Sequence, residues 1–132
     1  MKELNDIIKN AADICLYIDG KAQIYPRGEE RFDALLAAWT EMTAGAHRMP
    51  AFGVSIDRLT REELSGGIWL EFLFSAEQTC AGMPFESLLI KVERGYKGFN
   101  VIRCLHGRYE GRCYYVDLGG EDMYLLSDAI GR

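Results

Sequence analysis

The stretch EERFDALLAAWTEMT, residues 29–43, has the clearest helical periodicity in the chain. Its large apolar side chains recur at three- and four-residue steps, which places them on one side of a helix: Phe32, Leu35, Leu36, Trp39 and Met42. Two glutamates in the first turn suit the positive end of the helix dipole. We therefore predict one long amphipathic helix whose apolar side is buried in the core.

The hydrophobic pattern changes to a period of two after residue 51. Phe52, Val54 and Ile56 alternate as in a strand, and TREE at residues 60–63 is typical of a capping box that opens one helical turn. Further segments alternate in the same way and are separated by glycine-containing turns: residues 68–74, 88–92, 99–106 and 109–118. Strands this closely spaced favour an antiparallel meander.

These patterns predict an α+β fold in one globular domain, residues 1–132. A sheet with large apolar residues on one face and a helix with a matching apolar side can bury both only against each other. We expect an antiparallel β-meander of about five strands packed on the one long central helix at residues 29–43.

The first quarter of the chain leaves two alternatives open. Leu4, Ile7 and Ile8 recur at helical spacing and predict a short N-terminal helix. Asp19-Gly20 suits a type I′ turn, so residues 14–18 and 21–25 would form a hairpin. Alternatively, the first helix runs on through Tyr17. The last segment, residues 123–130, is ambiguous between a strand and a helical turn.

The composition and charge of the chain argue against several classes of function. The 132 residues carry 15 basic and 20 acidic side chains, a formal net charge of −5. A negative surface disfavours nucleic acid, and no segment approaches the roughly 20 apolar residues of a membrane span. The first residues, MKELNDIIK, do not form a secretion signal. Four cysteines without CxxC spacing are typical of reduced thiols, so we expect a cytoplasmic protein.

One candidate site combines Cys104, His106 and Cys113. Residues 104 and 106 share a face of a strand, and a turn at Gly107-Arg108 would bring Cys113 diagonally near Cys104. Two thiolates and an imidazole suit zinc, with Cys80 or His47 as the fourth ligand. The same residues could instead form a thiol–histidine catalytic pair. The alternative is two buried thiols and one histidine at the sheet edge.

A second candidate site is polar and aromatic: Arg103, Arg112, Tyr109, Tyr114 and Glu110. The predicted register sets Arg103 opposite Arg112, and like charges directly opposite destabilise a sheet. A shift of the register by one residue would separate the two arginines. Otherwise an acid between them, such as Glu110, or the anionic group of a bound ligand or partner would relieve this repulsion. The alternative is a solvated face with ordinary Arg–Glu pairs.

Glu71 is the most notable carboxylate, because it lies on a strand rich in aromatic residues. Between Trp69 and Leu73 it would be partly desolvated. The alternative is that this face of the strand is simply the outer one.

The sequence favours a small binding or interaction protein over an enzyme. Its partner would be another protein or a second copy of the chain, bound through the sheet face or a rim of loops at residues 45–50 and 80–85. The negative charge would suit a basic effector, as in immunity proteins. The alternatives are a small metal- or thiol-dependent enzyme that uses the Cys/His cluster, and a small-molecule binder with a cavity between helix and sheet.

Overall fold

An antiparallel sheet organises the part of the chain that the computed structural model describes, residues 1–50 and 53–131. Within these residues, seven strands form a large sheet and two form a small sheet. The strands are β1 (Asp13–Ile18), β2 (Lys21–Pro26), β3 (His47–Met49), β4 (Val54–Ser55), β5 (Ile68–Cys80), β6 (Met83–Lys91), β7 (Gly98–Cys104), β8 (Gly111–Arg112) and β9 (Tyr114–Asp117). The helices are α1 (Lys2–Ile8), α2 (Glu30–Met42), α3 (Asp57–Leu64) and α4 (Tyr124–Ile130). The large sheet has the order β2-β1-β5-β6-β7-β9-β3, and the small sheet pairs β4 with β8.

The α+β class with an antiparallel sheet is confirmed, but the predicted architecture is wrong. The large sheet has seven strands in its described part rather than about five, and it is not a sequential meander on one long helix. The chain adds β1 and β2 beside β5 at one edge and β3 beside β9 at the other. A sheet of seven strands is about 29 Å wide, whereas a helix covers only about 10 Å. One helix therefore cannot cover it.

The N-terminal hairpin is present, and the alternative of a helix through Tyr17 is wrong. Strands β1 and β2 pair from Ile18 opposite Lys21 to Asp13 opposite Pro26. Asp19 and Gly20 both have positive φ angles, 49° and 83°, which is the geometry of a type I′ turn. The hairpin then adds to the large sheet, because β1 also pairs with β5 along its whole length.

One face of the large sheet, which we call the first face, carries the main core. Helices α1, α2 and α4 contribute apolar residues to the same cluster as alternate residues of the strands. Trp39 of α2 lies at the centre with no exposed surface, and its ring meets Phe72 and Phe99 edge-on at centroid distances of 5.3 and 5.7 Å. Residues 123–130, ambiguous by sequence, are helical because α4 packs against α2. No helix in the described ranges is long and apolar enough to span a bilayer.

The opposite face of the large sheet, which we call the second face, has a smaller apolar cluster. Its buried members include Trp69 of β5, Leu89 of β6, Cys104 of β7 and Tyr109, and Leu64 of α3 packs against them. Helix α3 and the segment 105–113 thus cover the centre of this face. Since both faces of β5 are covered from Trp69 to Phe72, the expectation that the face with Glu71 is simply the outer one is wrong.

Between residues 51 and 63 the structure differs from the predicted strand and capping box in the bounds of both elements. Phe52 lies outside the described residues, and β4 consists of Val54 and Ser55 only. Helix α3 begins at Asp57, three residues before the predicted capping box, and Thr60 is buried inside it rather than at its start. The helix starts early because the Asp57 carboxylate accepts hydrogen bonds from Arg61 of the next turn and from the Tyr109 N–H.

Candidate functional site

A buried carboxylate lies at the centre of the second face. Glu71 is 3% exposed, and among the described residues its hydrogen-bond donors are three hydroxyl groups. Tyr17 of β1 donates at 2.8 Å, Ser87 of β6 at 2.6 Å, and Tyr109 at 3.0 and 2.9 Å to the two carboxylate oxygens. A buried charge is tolerated only when it is well hydrogen-bonded, so these hydroxyls are required to keep Glu71 in the core.

Tyr109 fastens the segment 105–113 over this carboxylate. Besides its hydroxyl, its N–H donates to the Asp57 carboxylate at 2.8 Å, and its carbonyl accepts from the Ser55 hydroxyl at 3.0 Å. The Arg61 guanidinium stacks over the Tyr109 ring, 5.0 Å from its centroid. These contacts join β4, α3 and the large sheet. Since no buried side-chain polar atom in the described ranges lacks a partner, the cluster is closed and offers no group to a ligand.

Burial of three tyrosines is expected to make the protein less stable at alkaline pH. Burial first, and the nearby Glu71 carboxylate second, raise the pKa of Tyr17 and of Tyr109, and burial raises the pKa of Tyr114. In the unfolded chain a tyrosine ionises near about pH 10. The folded state then holds protons that the unfolded state releases, so stability is intact below about pH 10 and falls as the pH rises above it.

We expect the free energy of unfolding to fall above pH 10 by up to about 1.4 kcal/mol per pH unit for each of these tyrosines. Urea titrations at pH 8.5, 10.5 and 11.5, with tyrosinate absorbance followed in parallel, would measure this. Tyr17→Phe should make the decline shallower. Ionisation of all seven tyrosines in the still-folded protein would contradict the expectation.

The structure does not assemble the predicted Cys/His site. Cys104 and Cys113 are buried, but His106 lies in the hairpin turn with 80% of its side chain exposed. No group of three or more His, Cys, Asp or Glu residues in the described ranges could hold a metal ion. Neither Cys80 nor His47, the proposed fourth ligands, therefore completes a metal site. Burial raises the pKa of Cys104 and of Cys113, the opposite of what a nucleophilic thiol needs.

The turn lies one residue earlier than the sequence indicates, which explains why His106 leaves the strand. His106 and Gly107 both have positive φ angles, and Leu105 and Arg108 exchange both backbone hydrogen bonds across them. Farther from the turn the predicted register is correct, since Val101 lies opposite Tyr114, as the predicted pairing of Arg103 with Arg112 implies. Residues 109–113 therefore bulge opposite 102–104, and β8 pairs with β4 instead.

The predicted Arg/Tyr/Glu cluster is divided among separate structural roles. The Arg103 guanidinium donates to the carbonyls of Arg112 and Pro84, both at 2.7 Å. Glu110 pairs with Arg108 at 2.7 Å rather than lying between the two arginines. Tyr114 is fully buried, and its hydroxyl donates to the Cys80 and Met83 carbonyls at the end of the β5–β6 hairpin. Tyr109 is the member that belongs to the Glu71 cluster.

An open groove lies on the second face beside α3. Two adjoining depressions, of about 290 and 240 Å³, share Glu63, Asn100 and Ile102 in their lining. The first also includes Trp69, Lys91, Tyr96, Phe99 and Tyr115, and the second includes Val54, Ile56 and Leu59. We call these two joined depressions the α3 groove. It contrasts with the Glu71 cluster because it is accessible and lined by both apolar and polar groups.

The apolar rim of the α3 groove is unusually exposed. Val54 is 72% exposed, Ile56 53% and Leu59 42%. Val54 lies in β4, Ile56 caps the start of α3 and Leu59 lies in its first turn. Single exposed apolar residues are common on protein surfaces, but a contiguous group at the edge of a groove is typical of an interaction site. The sequence indicated Val54 and Ile56 only as strand residues, because their exposure depends on the short pairing of β4 with β8.

Close packing shapes the other end of the groove. A side chain at Gly98 would overlap the Tyr115 hydroxyl, so glycine at this position lets the tyrosine lie flat against β7. Tyr96 and Tyr115 are partly exposed, whereas Trp69, which lines the same depression, is buried and its indole N–H donates to the Gly66 carbonyl at 2.9 Å. Sequence reasoning missed Glu63, Asn100 and Tyr115 as site residues. Only the alternation of residues along β7 and β9 could have placed Asn100 and Tyr115 on one face.

The structure is thus that of a small α+β protein. The second face of its large sheet carries a closed polar cluster around Glu71 and, beside this cluster, the open α3 groove. Comparisons with protein-family models, with curated proteins and with solved structures find no match to this chain. Its function is therefore inferred from its own geometry.

Proposed function

We propose that the protein is a non-enzymatic binding protein that engages a basic protein partner through the α3 groove. The observation that carries this proposal is the contiguous exposure of Val54, Ile56 and Leu59 along the groove. Burying large apolar side chains is a main source of affinity in protein–protein interfaces. The net charge of −5 favours a partner with positive charge, because opposite charges speed association.

The chemistry of the described residues favours binding over catalysis. The four thiols are all buried, and burial raises the pKa of each of them, that of Cys80 to about 11. A small-molecule binder would need a cavity between α2 and the large sheet. This region is filled by Trp39 and its aromatic neighbours. Unpaired thiols also suit a reducing compartment, so we propose that the protein acts in the cytoplasm.

Substitution of the exposed apolar rim tests the proposed function. We expect Val54→Asp combined with Ile56→Asp to weaken partner binding about tenfold or more, because two apolar contacts are lost and charged groups are buried in their place. Both side chains are more than half exposed, so the stability of the protein should change by less than about 1 kcal/mol. Circular dichroism and urea unfolding would confirm that the variant folds.

A photo-crosslinking residue at Leu59, with a matched one at the exposed Asp33 on α2, would locate the binding surface in extracts of the source organism. The proposal expects a discrete basic protein captured from Leu59 but not from Asp33, and loss of that capture in the double variant. Equal capture from both positions, or capture of a second copy of this chain from Leu59, would overturn it.

A further inference from the structure

The charged side chains of α3 are paired along the helix except at the groove. Asp57 pairs with Arg61 at 3.0 Å and Arg58 with Glu62 at 2.9 Å, each one turn apart. No hydrogen bond or ion pair engages the Glu63 carboxylate within residues 1–50 and 53–131. Glu63 lines both depressions of the α3 groove, so it is the acidic group that the groove presents.

The aromatic wall of the groove already binds a cation. The Lys91 ammonium lies 5.8 Å from the centroid of the Trp69 ring, which is the geometry of a cation–π contact. Lys91 is also 3.4 Å from the Glu93 carboxylate, which balances its charge. Glu63 is therefore the charged residue of the groove lining that has no oppositely charged partner among the described residues.

The remaining lining suits a long side chain with a planar cationic end. Ile102 gives an apolar surface for an aliphatic stem, and the amide of Asn100, which lines the same two depressions as Glu63, supplies an acceptor oxygen. Tyr96 is partly exposed and adds an aromatic ring to the lining. A guanidinium group stacks on aromatic rings and pairs with a carboxylate through two parallel hydrogen bonds, which an ammonium group cannot do.

We propose that the α3 groove binds an arginine side chain of the partner protein, with the guanidinium against Glu63 and Asn100 and the stem along Ile102. This proposal rests on the proposed function and names the chemical group that the groove recognises. Lysine would fit less well, since it lacks the planar group that stacks on Tyr96.

Titration with N-acetyl-arginine methylamide tests the site in the full-length protein. The citrulline analogue has the same shape without the charge and is the matched control. The two tryptophans provide separate NMR signals, because Trp69 lies in the groove and Trp39 in the main core. We expect the arginine compound to shift the indole signal of Trp69 and the amide signal of Asn100, and to leave Trp39 unchanged.

Glu63→Gln should weaken this binding about three- to fivefold, the effect of losing one exposed charge pair. Glu62→Gln is the control, because Glu62 is adjacent in sequence but pairs with Arg58 outside the groove. Glu63 is exposed near the end of α3, so its substitution should not unfold the protein. Equal shifts with the citrulline compound, no shift at Trp69 and Asn100, or equal affinities of the two variants would each overturn the proposal.

The outcomes separate this inference from the proposed function. If arginine does not bind but capture at Leu59 still depends on Val54 and Ile56, only the arginine site is wrong. If arginine binds and the captured protein is insensitive to the double variant, the proposed partner surface is wrong.

Discussion

Trp39→Ala is expected to lower the free energy of unfolding by about 3–5 kcal/mol, the range for removing a large aromatic side chain from a core. The ring is completely buried and meets Phe72 and Phe99 edge-on, so its loss leaves a cavity between α2 and the large sheet. The indole N–H also donates to the Asn5 side chain at 2.9 Å, which ties α1 to α2. Urea unfolding monitored by circular dichroism would measure the change.

Trp39→Phe is the control for the aromatic contribution. It keeps most of the ring and loses the hydrogen bond to Asn5, so we expect a smaller loss of about 1–2 kcal/mol. Equal losses for the two variants, or a loss below about 1.5 kcal/mol for the alanine variant, would show that the first face is not organised around this residue.

Tyr109→Phe is expected to lower the free energy of unfolding by about 1.5–3 kcal/mol, the range for a hydrogen bond to a charged group. The substitution removes one hydroxyl and leaves the Glu71 carboxylate, 3% exposed, with Tyr17 and Ser87 as donors. The buried charge then loses part of its compensation without any change in the shape of the core. Equilibrium unfolding in urea would measure the effect.

Tyr124→Phe is the matched control, because Tyr124 is 38% exposed and no hydrogen bond engages its hydroxyl in the described ranges. We expect this variant to change stability by less than about 0.5 kcal/mol. A Tyr109→Phe protein as stable as the Tyr124→Phe protein would mean that the three hydroxyls do not stabilise the buried carboxylate.

Local patterns of the sequence predicted the secondary structure closely where one physical rule dominates. The apolar period of residues 29–43 corresponds to α2, with Phe32, Leu35, Trp39 and Met42 all buried. The Asp19-Gly20 pair corresponds to the hairpin turn, because few other dipeptides accept two positive φ angles. The start of α3 was misplaced, since what stabilises its first turn includes the N–H of Tyr109, 52 residues away.

The candidate sites depended on register, which the sequence predicted only in part. The pairing of Val101 with Tyr114 agrees with the predicted register, but the turn at His106-Gly107 separates His106 from the face that Cys104 occupies. Glu71 was recognised as notable from its aromatic neighbours. Its hydroxyl partners come from β1, β6 and segment 105–113, so no local pattern could indicate them.

Taken alone, the sequence determined helix α2, the turn of the N-terminal hairpin, the α+β class and the negative charge, because each depends on neighbouring residues or on composition. The tertiary structure decided the order of the strands, the covering of both sheet faces, the hydroxyl cluster around Glu71 and the α3 groove. These features join residues far apart in the chain, and their free energy comes from burial and hydrogen bonds that exist only once the strands have paired.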